Sequence, residues 1–117
     1  MFEVAEKIML HTGLTSHKWT SFSIDKQILM IANEMNRAKN WIKKKDFDKV
    51  SSCYERALEL IDLTAEVSDN LNFIKEILRF REQLAVAYIK NVRVFDEVLY
   101  SLLLGMNVNS FNLMREI

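Results

Sequence analysis

Residues 24–67 read IDKQILMIANEMNRAKNWIKKKDFDKVSSCYERALELIDLTAEV, and they decide the fold. From Ile24 to Lys44 the apolar residues Ile24, Ile28, Ile31, Met35, Ala38 and Ile42 recur at three- and four-residue spacing, so they share one face of a helix. Lys43, Lys44 and Lys45 close that segment with the charge that suits a helix C-terminus. Asp46 then has the side chain of an N-cap. It opens a second helix, Phe47 to Val67, with Phe47, Val50, Tyr54, Ala57, Leu58 and Ile61 facing inward. A link so short between two amphipathic helices favours an antiparallel pair.

Outward from this hairpin the chain keeps the same character. It has no proline and only two glycines, Gly13 and Gly105, in 117 residues, where average usage would give about 6 prolines and about 8 glycines. Leu14 to Leu104 therefore contains no strong breaker. Phe2 to His11 has helical spacing and stops before Gly13, and Leu14–Phe22 is polar and irregular. Ser21 or Ser23 can cap the helix that follows. Beyond the polar break Ser68-Asp69-Asn70, helices are expected over Leu71–Lys90 and Val92–Leu104, with Asn91 as an open break between them. The last dozen residues, MNVNSFNLMREI, read as a frayed helix or a docked tail. The expected fold class is all-α, an up-and-down antiparallel bundle of four or five helices forming a single domain over residues 1–117.

Composition narrows the function more than it defines it. Sixteen basic and sixteen acidic residues cancel, so no net field draws the chain to nucleic acid or an anionic membrane. Cys53 stands alone, which excludes an intramolecular disulfide and suits a reducing, cytoplasmic setting. No apolar run is long enough to span a membrane. His11 and His17 lack the i, i+4 spacing of a metal pair, and two glycines cannot build a phosphate loop or a nucleophile elbow. The residues point to no catalytic group, metal or cofactor, and Cys53 reads as a small core residue.

The stretch Ile31–Thr64, densest in KKKDFDKVSSCYERALELID, resembles a tetratricopeptide repeat, a helix–turn–helix of 34 residues. Asp46-Phe47 sits at that repeat's turn and first aromatic. Tyr54, Ala57, Leu58 and Leu60 match its second helix, and Ala38 and Trp41 take a small and an aromatic position in the first. Lys45 stands where the repeat has glycine, Val50 where it has a small residue, and Asp62 where it has proline. The resemblance implies peptide or protein binding.

Four surface patterns carry functional expectations. On the second hairpin helix Asp48, Glu55, Glu59, Asp62, Glu66 and Asp69 fall within a sector of about 80°, an acidic ridge that is either a solvated face or a guide for a basic segment. Arg37, Lys39, Trp41, Lys43, Lys44, Lys45 and Lys49 form a basic cluster around an aromatic, the combination that binds nucleic acid through phosphates and stacking. The Leu71–Lys90 helix has two apolar flanks, Leu71, Ile74 and Leu78 on one side and Phe73, Ile77, Phe80, Leu84 and Ala87 on the other. Such a helix is either central to the bundle or seats its second flank on another molecule. Arg81 projects from that arc, with Glu34 and Glu97 as possible partners, and reads either as a half-exposed residue at the core's edge or as an interface anchor.

Together these favour a non-enzymatic protein-interaction module, adaptor-like or similar to an assembly or export chaperone. It is expected to bind a protein partner or itself, most simply as a dimer, through Phe73, Ile77, Phe80, Arg81, Leu84 and Ala87. The alternative is a nucleic-acid-associated protein using the Arg37–Lys49 cluster.

Overall fold

The computed structural model describes residues 16–90 and 92–106. Five α-helices follow one another: α1 (Ser16–Thr20), α2 (Ile24–Lys43), α3 (Phe47–Val67), α4 (Leu71–Lys90) and α5 (Glu97–Leu104). No strand occurs among the described residues. The helix expected over Phe2–His11, the break at Asn91 and all of the C-terminal dozen except Met106 lie outside them.

The reversal from α2 to α3 takes three residues, Lys44 to Asp46. Lys45 adopts a φ of 60°. Its N–H bonds the carbonyl of Ile42 at 3.0 Å, and the N–H of Asp46 bonds that of Trp41 at 3.0 Å. This pair of bonds satisfies the last carbonyls of α2 in the manner of a Schellman turn. Asp46 then caps α3, its carboxylate accepting from the N–H of Lys49 at 3.3 Å. Small buried residues, Ala32 and Ala38 on α2 with Cys53 and Ala57 on α3, let the two helices approach closely.

Four helices close a ring in which α2 packs on α3, α3 on α4, α4 on α5 and α5 back on α2. The core inside it is built from Ile28, Ile31, Met35, Val50, Tyr54, Leu60, Ile61, Phe73, Ile77, Phe80, Leu84, Leu99 and Leu103. Tyr54 and Tyr88 stack between α3 and α4. The α2–α5 seam is stitched by polar contacts: the Asn36 amide donates to the Tyr100 hydroxyl at 2.9 Å, and Lys39 pairs with Glu97 at 2.9 Å. Arg93 lies over the ring of Phe47, which ties the α4–α5 connection to the start of α3.

Two expectations about elements need correction. The polar stretch before α2 contains a helix, α1, whose Trp19 has no exposed surface. The indole N–H donates to the Thr64 hydroxyl at 3.0 Å, and that hydroxyl donates to the carbonyl of Leu60. The buried Gln27 amide donates to the carbonyls of both Trp19 and Phe22, so the turn between α1 and α2 is satisfied by one side chain. The last helix begins at Glu97 rather than Val92. Asp96 caps it by accepting from the N–H groups of Val98 and Leu99, and residues 92–96 form the connection.

The Trp19–Thr64 bond sits where neither partner meets water, so deleting one side leaves a buried donor unsatisfied. Thr64→Val is nearly isosteric and is expected to cost about 1–3 kcal/mol in urea denaturation. Trp19→Phe should cost less in the Thr64→Val background than in the wild type. The coupling expected from the double-mutant cycle is about 1 kcal/mol.

Candidate functional site

The placement of α4 decides which apolar residues a partner can reach. Phe73, Ile77, Phe80 and Leu84 are between 0% and 7% exposed, so the flank expected to be the partner-facing seam is the helix's inward stripe. The reason is geometric: that stripe meets α3 on one side and α5 on the other, and both contribute core residues to it. Ala87 is half-buried against the same core. A charge at Phe80 would therefore disrupt the fold rather than an interface. Of the expected interface set, only Arg81 retains a substantial polar surface.

Arg81 is paired with neither Glu34 nor Glu97. Its Nε lies 2.6 Å from Asp62 Oδ1 and its Nη2 3.3 Å from Oδ2, a two-pronged contact across the α3–α4 seam. Glu34 is buried instead between Arg56, at 3.2 Å, and Arg37, at 3.3 Å, with one donor on each carboxylate oxygen. Arg56 also reaches the buried Cys53 thiol, whose pKa burial pushes up. Among the described residues no buried side-chain nitrogen or oxygen lacks a hydrogen-bond partner.

The acidic ridge is divided by these contacts. Asp62 is engaged by Arg81, and Glu55 accepts a short hydrogen bond from the Tyr88 hydroxyl. Glu59 is half-buried and engaged as well. Asp48, Glu66 and Asp69 remain exposed, near the two ends of α3. Glu55 keeps an exposed side chain all the same, so the ridge is shared between contacts within the chain and solvent.

The basic cluster is also partly committed. Arg37 is held by Glu34, and Lys39 by Glu97 and the face of Phe95. The ammonium groups of Lys44 and Lys49 approach the Trp41 ring to 5.0 and 4.3 Å, so a stacking base would have to displace them. Lys43 and Lys45 are exposed. A shallow polar depression nearby is lined by Lys44, Lys45, Asp46, Phe47, Asp48 and Arg93, and it carries charges of both signs.

The seam between α4 and α5 opens outward as a groove of about 570 Å³. Phe80 forms its floor. Val98 and Leu102, one turn apart, make the α5 wall and are 69% and 48% exposed. The α4 wall is built from the stems of Glu76, Arg79 and Gln83, and Met106 closes one end. Glu76, Arg79 and Glu97 put charge along the rim while the interior stays apolar. The four-residue spacing of Val98 and Leu102 was the available signal, since it places both on one face of a helix.

Tyr88 is held protonated above the ordinary tyrosine range, first by its hydrogen bond to Glu55, then by desolvation and by the charge of that carboxylate. Folding thus favours the neutral phenol. Its contribution to stability is present below the unfolded value of 10.0 and disappears as the pH rises through the raised folded value. In an ultraviolet titration of phenolate, Glu55→Gln is expected to bring the Tyr88 transition back down, and Tyr88→Phe to remove it.

No helix among the described residues is long and apolar enough to cross a membrane. Comparison of the chain with protein-family models, curated proteins and solved structures finds no match.

Proposed function

We propose that this protein is a non-enzymatic interaction module that receives an amphipathic helix of a protein partner in the α4–α5 groove. One observation carries the reading. The large exposed hydrophobic side chains among the described residues, Leu71, Leu78, Val86, Ile89, Val94, Val98 and Leu102, all lie on α4, α5 or the connection between them. Helices α1 to α3 contribute none. Scattered surface hydrophobics are ordinary, but their confinement to one layer of a small bundle is the mark of a contact surface.

The groove's chemistry selects the kind of partner. A helix presenting apolar residues at i and i+4 would set them against Val98, Leu102 and the Phe80 floor. Its polar flanks would then meet Glu76 and Arg79 on the α4 side and Glu97 on the α5 side. The role is that of an adaptor or an assembly chaperone acting in the cytoplasm, where Cys53 would stay a thiol. The nucleic-acid alternative is less well supported, because Arg37, Lys39 and the Trp41 ring are already occupied within the chain.

Val98→Asp and Leu102→Asp test the groove without entering the core. The tagged protein is exposed to nuclease-treated native lysate, retained proteins are identified by mass spectrometry, and the affinity of each is compared between wild type and variants. A partner bound about 30-fold or more weakly by either variant, with helical circular dichroism unchanged, is the expected result. Equal retention by wild type and both variants would show that the groove is not the binding surface.

A further inference from the structure

The side of α4 turned away from its core stripe carries a second pattern. At about 100° per residue, Leu71, Leu78 and Ile89 fall in one row along that side, with Ile74 and Ala85 on its α3 edge. Leu71 and Ile89, at the two ends of the helix, are 63% and 79% exposed. Lys75 and Glu82 lie between them, both exposed, and neither has an ion-pair partner among the described residues.

The apolar ends of this row are complementary when the row is reversed. If a second α4 lies antiparallel across a twofold axis level with Phe80, Leu71 faces the second copy's Ile89 and Ile74 faces its Ala85. Lys75 comes within one helical turn of the second copy's Glu82, about 4.5 Å away along the axis, and Leu78 lies level with that same Glu82. Symmetry makes each contact twice. The parallel alternative sets Lys75 against Lys75 and Glu82 against Glu82, so the charge order favours the antiparallel arrangement. We propose that a second copy of this chain docks on the outer side of α4, giving an antiparallel twofold dimer. The inference rests on the same reading of α4 and α5 as a contact layer. It uses the side of α4 away from the groove, so the two surfaces can fail separately.

A single pair of 20-residue helices is a small interface, and the dimer is expected in the micromolar range. Sedimentation equilibrium from about 5 to about 500 μM, at about 50 mM salt to limit screening, reads it directly. Lys75→Glu and Glu82→Lys each create two like-charge contacts and should weaken dimerisation about tenfold. The double reversal should restore it to within about threefold of wild type. Residues 71 and 89 are about 27 Å apart on one helix, so a disulfide in Leu71→Cys/Ile89→Cys joins two chains. Mild oxidation should convert that variant to covalent dimer, while buried Cys53 stays unreacted.

A wild-type chain that is monomeric throughout the range would overturn the proposal. So would single reversals without effect, or no cross-link. A dimer insensitive to both reversals but broken by Val98→Asp would move self-association into the groove, overturning this placement while leaving the contact-layer reading in force.

Discussion

Three residues reverse the chain between α2 and α3, and the position of every later helix depends on how they do it. Lys45 takes a left-handed φ that glycine adopts freely and lysine adopts at a cost of about 1–2 kcal/mol. What offsets that cost is the satisfaction of backbone groups on both sides of the turn. The N–H groups of Lys45 and Asp46 close α2, and the Asp46 carboxylate opens α3. Asp46 thus serves as the last hydrogen-bonding residue of one helix end and the first of the next. The short link holds Ala32 and Ala38 near Cys53 and Ala57, which sets the spacing of the two helices. At that spacing Arg56 reaches Glu34 from across the hairpin, and the buried carboxylate has a donor on each oxygen. Without Arg56 the same glutamate would be a large penalty.

Periodicity made α2, α3 and α4 legible, because each buries one stripe and the stripe repeats at the helical period. Val50, Tyr54, Ala57 and Ile61 are buried as their spacing implies. Trp19 was illegible for the opposite reason. One aromatic among polar neighbours has no period, and its importance lies in contacts with Thr64 and Gln27, far along the chain. The start of α5 was missed because Val92, Val94 and Phe95 continue an apolar pattern that Asp96 interrupts only by capping. Pairings were the least legible. Glu34 and Glu97 were the partners expected for Arg81 by charge, and only the azimuth of α4 about its own axis brings Asp62 to it instead.

That azimuth is a real question for a helix apolar on two sides. Burial alone does not settle it decisively: Phe73, Ile77, Phe80 and Leu84 could face the core, or Leu71, Leu78 and Ile89 could. The larger aromatic stripe favours the observed setting by area. Polar contacts at the α3 edge add a directional preference that area lacks. Arg81 meets Asp62 in one half of α4 and Tyr88 meets Glu55 further along, so the helix is pinned at two levels. Turning α4 to bury its other flank would break both contacts. The carboxylates of the α3 ridge thereby acquire an internal role: they add a modest directional preference to the setting that buried area favours. With Phe80 inward, Leu71 and Ile89 point outward, and the apolar surface left on α4 is a consequence of how its rotation is specified.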